Sequence, residues 1–338
     1  MRLAVAHHDA RTLDALKRIV AALAGYDVIW TAADGAEALR KCQREKPELL
    51  LLDLALPNLD VSGATKDIMK SCPCAILLLT DSVEANAAKV FEAMGQGALD
   101  AVRVCVETPT GKLHGEKDII KKLATMGKLI GKVETRVKTP FKVKTANPEL
   151  LPPLVAIGAS TGGPKALSVI LAALPKALGA AVIIIQHVDE QFSRGLAEWL
   201  NSQSPLKVVL AGEGERPEID TALVASTNDH LILGADLILR YTREPRDYPY
   251  RPSVDVFFES LARHWPRRDM AVLLTGMGRD GALGLAALRK AGWHTIAQNE
   301  KTSVVYGMPA AAVELGGAAD ILPLDRIAPA IMKSLGRK

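Results

Sequence analysis

A serine, a histidine and an aspartate each stand at or just beyond the end of an apolar run in the second half of this 338-residue chain. Ser160 ends the run Leu154-Val155-Ala156-Ile157-Gly158-Ala159, and Thr161-Gly162-Gly163-Pro164 follow it. His187 closes Val182-Ile183-Ile184-Ile185-Gln186, and Asp280 lies in Leu273-Leu274-Thr275-Gly276-Met277-Gly278-Arg279-Asp280-Gly281. A serine hydroxyl is a weak nucleophile near neutral pH. An imidazole must take its proton, and a carboxylate must fix the imidazole tautomer and steady its positive charge. Ser160, His187 and Asp280 supply those types, and the chain order Ser, His, Asp is no obstacle, because geometry defines such a triad. The small residues after Ser160 let backbone N–H groups approach a ligand, and the helix that follows adds its positive end. N–H groups near Thr161 or in the Met277 loop are candidates for an oxyanion hole. Each residue alone has a plainer explanation: Ser160 and Asp280 can cap helices, and His187 can be a satisfied core histidine. Asp255, in Tyr250-Arg251-Pro252-Ser253-Val254-Asp255, competes with Asp280, and His230 competes with His187; spacing alone leaves both contests open.

Strands must carry these residues to one place. Apolar runs at 154–158, 181–187, 207–211, 222–226, 270–275 and 294–298 predict strands, with helical patterns between several of them. Leu231 to Arg240 reads instead as an antiparallel hairpin turning at Gly234. The first third repeats the same theme. Strands are predicted at 2–6, 28–32, 49–53, 75–80 and 98–104, and helices at 35–45, 61–71, 85–95 and 117–132. Leu13, Leu16, Ile19, Val20 and Leu23 mark another helix. Strands so uniformly apolar are covered on both faces, as in doubly wound parallel sheets. The fold class expected is therefore α/β: a flavodoxin-like parallel sheet over 1–132, a basic flexible linker over 133–153, and a second doubly wound α/β domain with an antiparallel hairpin over 154–338.

Composition narrows the classes. Hydrophobic residues make up 49% and aromatics only 4%, as suits two aliphatic cores, and the net charge of +4 is too small and dispersed for nucleic acid as the main partner. No apolar stretch approaches a membrane span and no cleavable signal is evident, so a soluble cytoplasmic protein is expected. Cys42, Cys72, Cys74 and Cys105 lack metal-site spacing and read as reduced core thiols. Nucleotide binding at the glycine turn is disfavoured. Gly158-x-Ser160-x-Gly162-Gly163 lacks the dinucleotide fingerprint, and Lys165 is out of register for a phosphate-binding loop.

In the first domain, Leu49-Leu50-Leu51-Leu52-Asp53-Leu54-Ala55-Leu56-Pro57, Leu77-Leu78-Leu79-Thr80 and Gly97-Ala98-Leu99-Asp100 together resemble the receiver domain of two-component response regulators. The resemblance implies that Asp53 is the phosphoacceptor, that the Thr80 hydroxyl follows the new charge, and that an acidic pair after the first strand holds Mg²⁺. Two positions depart from it. His7-His8 stand in place of the acidic pair, with one carboxylate displaced to Asp9, and Val104 falls where a lysine is expected. Imidazoles suit Mg²⁺ poorly, so phosphorylation of Asp53 is expected to be slow or absent. As neighbours on an extended strand, His7 and His8 would point to opposite faces, which argues against their sharing a transition metal, and no metal site is assigned.

In the second domain, Gly158-Ala159-Ser160-Thr161-Gly162-Gly163, Gln186-His187, Tyr250 to Asp255, Leu274 to Gly281 and Val305-Tyr306-Gly307-Met308-Pro309 resemble the catalytic domain of chemosensory protein-glutamate methylesterases, the CheB family. The resemblance covers most of 154–325 and departs at Ala225-Ser226-Thr227-Asn228-Asp229-His230, where the family usually has Ala-Pro-Gly before its histidine. It implies a Ser160–His187–Asp280 triad, Met277 lining the oxyanion region with Thr161 beside the nucleophile, and no cofactor for catalysis. It further implies hydrolysis of glutamyl γ-methyl esters, and deamidation of glutamines, on the cytoplasmic domain of methyl-accepting chemoreceptors. The remaining implications are a histidine kinase of the chemosensory array as partner, gating by the receiver, and a monomer without membrane insertion. Trp30 and the stretch Phe91 to Asp100 resemble the Wsp-type surface-sensing branch. The competing reading is a catalytically decayed docking or scaffold protein of a chemosensory array.

Overall fold

The computed structural model describes residues 1–23, 25–57, 59–107, 112–130, 151–246 and 248–336. It divides into two compact units, Met1–Val133 and Glu134–Lys338. Most of the linker expected over 133–153 lies outside the described residues.

The first unit runs β1 (Arg2–Ala6), α1 (Ala10–Ala21), β2 (Asp27–Ala32), α2 (Gly35–Arg44), β3 (Leu49–Asp53), α3 (Val61–Ser71), β4 (Ala75–Thr80), α4 (Val83–Gly95) and β5 (Asp100–Arg103). A short hairpin, β6 (Cys105–Glu107) with β7 (Lys112–His114), then leads into α5 (Glu116–Ile130). The strands form a parallel sheet in the order β2-β1-β3-β4-β5, the flavodoxin-like order expected from the apolar strands. Leu49 to Leu52 are wholly buried on both faces, as such a sheet requires. Asp9, Asp34, Asp60 and Ser82 each cap the helix they precede, with the side chain accepting from a backbone N–H of the first turn. Trp30 and Phe91 are core residues, and Cys42 and Cys72 are buried free thiols.

The second unit begins with β8 (Leu154–Ala159), α6 (Gly163–Ala173), β9 (Ala181–Gln186), α7 (Glu190–Gln203), β10 (Lys207–Leu210) and β11 (Thr221–Val224). The expected hairpin follows as β12 (His230–Leu233) and β13 (Leu239–Thr242), paired antiparallel. Then come α8 (Val254–His264), β14 (Met270–Leu273), α9 (Ala282–Lys290), β15 (His294–Gln298), α10 (Met308–Glu314), β16 (Asp320–Leu322) and α11 (Leu324–Ser334). Seven parallel strands form the sheet β10-β11-β9-β8-β14-β15-β16. The short edge strand β16 was not expected; its Asp-Ile-Leu run is too brief to carry a pattern. The chain leaves β8 toward β9 and returns on its other side with β14, so the carboxyl ends of these three strands border the crevice where open α/β sheets bind ligands.

Helices α8 and α9 pack closely on that sheet. A Cβ added at Gly284 of α9 would stand 2.6 Å from the Phe258 Cβ and 3.0 Å from the Asp255 carbonyl oxygen. Gly284→Val is therefore expected to force the helices apart and destabilise the unit by about 1–3 kcal/mol. Thermal unfolding checks this, and an unchanged melting temperature would contradict the close approach.

Candidate active site

Sheet register sets the first distance in the site. Ala159 of β8 pairs with Gln186 of β9, so the next residues, Ser160 and His187, leave the sheet from neighbouring positions on strands about 4.8 Å apart. The His187 amide donates to the Ala159 carbonyl at 3.1 Å, which extends the ladder one residue beyond the end of β9. Both side chains are buried.

Asp280 gathers the surrounding donors. Its Oδ2 accepts from His187 Nε2 at 2.7 Å and from the Val254 amide at 2.7 Å. Its Oδ1 accepts from the Ser253 hydroxyl at 2.7 Å and from the Asp255 amide at 3.1 Å. Ser253 is the N-cap of α8, so the carboxylate sits on the positive end of that helix. Burial pushes the Asp280 carboxyl up. The His187 hydrogen bond and charge, together with the Ser253 and Val254 donors, outweigh it and hold the group below its ordinary range. An ionised carboxylate only accepts, so Nε2 carries a proton, and in the neutral ring Nδ1 is the nitrogen with the lone pair. Among the described residues, the buried Nδ1 meets no hydrogen-bond partner.

Both rivals have other occupations. His230 Nε2 meets the Pro245 carbonyl at 3.1 Å, and its Nδ1 accepts from the Ser253 amide at 3.1 Å, so both ring nitrogens are spent on structure. Burial also lowers its pKa. Asp255 accepts from the Gly284 amide at 2.7 Å and braces α9, while burial and then the Asp280 charge push its carboxyl well up.

The turn after β8 is braced by residues the sequence did not single out. Thr275 accepts the Ser160 amide on its carbonyl at 3.1 Å, and its hydroxyl donates to the Thr161 carbonyl at 2.8 Å. Gln186 Nε2 donates to the Ser160 carbonyl at 2.9 Å. Tyr250 stacks on His187 with ring centroids 4.1 Å apart and planes 11° apart. Its position in the Tyr250 to Asp255 segment was visible, but nothing in sequence spacing tells which ring lies on which. Among the described residues, the Thr161 and Met277 amides donate to no other group, which leaves them available to an oxyanion. Gly162 takes φ +78°, and a Cβ there would stand 2.6 Å from the Val304 Cβ. At Gly276 a Cβ would meet the Met308 sulfur at 2.2 Å and the Ser160 Cβ at 2.8 Å, so the Met277 loop passes Ser160 only as glycine.

In the first unit, Asp53 and Thr80 stand at the ends of β3 and β4, and both are buried. The Thr80 hydroxyl donates to the Ser82 carbonyl at 2.9 Å and accepts from Asn86 Nδ2 at 3.0 Å. His7 and His8 do not point to opposite faces. Strand β1 stops at Ala6, so the alternation rule no longer applies, and the two rings stack with centroids 5.0 Å apart. Asp53 Oδ2 lies 2.5 Å from His8 Nδ1 and 3.7 Å from His7 Nδ1. Asp9 does not replace the missing acid: its carboxylate accepts from the Thr12 amide and hydroxyl at 2.9 and 2.7 Å, which caps α1. Val104 is buried and supplies no cation. Two imidazoles and one carboxylate do not fit Mg²⁺, which takes oxygen ligands in octahedral geometry.

Family models match the chain twice: a response regulator receiver domain over residues 4–108 and CheB methylesterase over residues 155–331. The chain is similar at 47% identity to "Protein-glutamate methylesterase/protein-glutamine glutaminase 2" of Burkholderia pseudomallei, over 100% of this chain and 98% of that protein. A Cupriavidus metallidurans protein of the same name is 46% identical over 99% of each chain. The crystal structure of the Thermotoga maritima CheB methylesterase catalytic domain matches with a TM-score of 0.53 and 33% identity, over 54% of this chain and 99% of that one.

Asp255 yields a pH test. A carboxyl raised by folding is penalised once the unfolded chain ionises, so its cost is absent below the ordinary value of 3.8 and grows as pH rises toward the folded pKa. Asp255→Asn is therefore expected to raise the melting temperature near neutral pH, with the gain fading as pH falls toward 4. A gain that grows on acidification would contradict this.

Proposed function

The chain belongs to the CheB methylesterase family, and from that premise we propose that Ser160, His187 and Asp280 carry its ester hydrolysis on chemoreceptors. The protein is a protein-glutamate methylesterase with an N-terminal response-regulator receiver. The observation that carries the residue assignment is the His187 ring, bonded to Asp280 through Nε2 at 2.7 Å with a buried Nδ1 left unpartnered.

That tautomer makes Nδ1 the base. Ser160 Oγ attacks the γ-carbonyl of a methylated glutamate while His187 Nδ1 takes the hydroxyl proton, and the C=O electron pair moves onto oxygen. The Thr161 and Met277 amides receive the oxyanion. Collapse expels methoxide, which takes the proton from His187 and leaves as methanol. Water then gives a proton to the same nitrogen as it attacks the acyl-enzyme; collapse expels the Ser160 oxygen, which takes that proton back from His187, and the glutamic acid formed loses its own proton to solvent. Asp280 stays ionised throughout and steadies the imidazolium. A glutamine side chain would follow the same path with ammonia leaving, a harder departure.

The chemoreceptor's cytoplasmic helices as substrate, a chemosensory histidine kinase as phosphodonor, a monomeric state, a cytoplasmic location and control of access by the receiver complete the proposal. Among the described residues no helix is long and apolar enough to cross a membrane, in keeping with that location. The scaffold alternative draws only on the receiver's altered positions, His7, His8 and Val104, and the intact Ser160, His187 and Asp280 set of the second unit argues against it.

Ser160→Ala is expected to lower methanol release from methylated receptor by at least about 10³-fold with an unchanged melting temperature. Asp280→Asn is expected to cost about 10³- to 10⁴-fold, since Nε2 then loses the acceptor that fixes the tautomer. Retained hydrolysis in Ser160→Ala would reject the assignment.

A further inference from the structure

We propose that His7, His8 and Asp53 form a binding site for a late first-row divalent cation of the Zn²⁺ kind, at the place where a receiver would hold Mg²⁺. Each of the three side chains offers one ligand atom, and these atoms all lie within 4.8 Å of one another. Nitrogen and oxygen ligand atoms arranged tetrahedrally around a Zn²⁺ ion at its usual distances stand about 3.3–3.5 Å apart. The separations of 2.5 and 3.7 Å from Asp53 Oδ2 to the two Nδ1 atoms bracket that span, so small side-chain rotations suffice.

The donor chemistry selects the ion. Imidazole nitrogen suits Co²⁺, Ni²⁺, Cu²⁺ and Zn²⁺, with affinity rising from Co²⁺ to Cu²⁺ and dropping again at Zn²⁺, whereas Mg²⁺ dehydrates reluctantly and favours oxygen. Burial and exposure are divided usefully. His7 and Asp53 are buried, while the His8 side chain is 45% exposed, which gives the ion an entry and leaves room for water in the remaining positions.

The backbone holds the ligands in place. Asp53 Oδ1 accepts from the Ala55 amide at 2.9 Å, and the His8 amide points at Asp53 Oδ2 at 3.2 Å. The His7 amide is tied to the Ala32 carbonyl at 3.0 Å. His7 Nδ1 accepts from the Asp9 amide at 3.0 Å, and coordination through that nitrogen exchanges this bond for the ion. Asp9 itself stays with Thr12 and adds no ligand.

Calorimetric titration of the metal-stripped, untagged full chain with ZnCl₂ and with MgCl₂ tests the site, with the visible spectrum of added Co²⁺ reporting nitrogen ligation. One equivalent of Zn²⁺ is expected to bind at least about 100-fold more tightly than Mg²⁺. His8→Ala should weaken Zn²⁺ by about tenfold or more, and His8→Asp should narrow the Zn²⁺ to Mg²⁺ ratio by a similar factor. Asp53→Asn serves as the second variant, and circular dichroism of each variant verifies its fold. Failure of the wild type to bind Zn²⁺, equal affinity for Mg²⁺, or Zn²⁺ binding untouched by both His8→Ala and Asp53→Asn would overturn the proposal.

Discussion

The second unit depends on how it keeps a negative charge inside. Asp280 is buried, and an unpaired carboxylate there would cost several kcal/mol. Four donors meet it: the His187 ring, the Ser253 hydroxyl and two amides from the first turn of α8. The other parts of the site follow from that charge. It fixes which ring nitrogen of His187 is protonated. It requires α8 to start at Ser253, and that start in turn needs His230 to accept the Ser253 amide. It also makes Asp255, in that same first turn, an uneasy second acid that is tolerated because it bonds the Gly284 amide.

Much of this was legible in the sequence. The apolar runs gave the strands to within one or two residues, because a parallel strand covered on both faces is apolar throughout. Ser160, His187 and Asp280 stood out because each follows such a run. What the sequence left open were the contests between Asp280 and Asp255 and between His187 and His230. Those depend on which loop turns toward which strand: the structure brings Asp280, 93 residues away, against His187, while Asp255 and His230 are bonded elsewhere. The tautomer, the Tyr250 stack and the Thr275 and Gln186 braces were invisible for the same reason. They are contacts across the sheet, and no local pattern encodes them.

The first unit shows the reverse case, where a sequence rule was applied one residue too far. Alternation of side chains holds within a strand, and β1 ends at Ala6. His7 and His8 belong to the loop, where both rings can face Asp53. A receiver sheet has thus kept its acidic pocket at the β1/β3 switch point while exchanging its hard oxygen donors for nitrogen.

The Gly276 carbonyl accepts from the Gly307 amide at 3.1 Å and from the Met308 amide at 2.9 Å, and the Gly276 amide donates to the Val305 carbonyl at 3.0 Å. The loop that passes Ser160 is thus pinned by a segment some thirty residues downstream. During synthesis on the ribosome, Ser160, His187 and Asp280 all emerge before that clasp exists. A nascent chain, or one cut short by a premature stop before Val305, would carry all three side chains beside an unpinned Met277 loop, so the surroundings of Ser160 are completed only once Val305 to Met308 have been made.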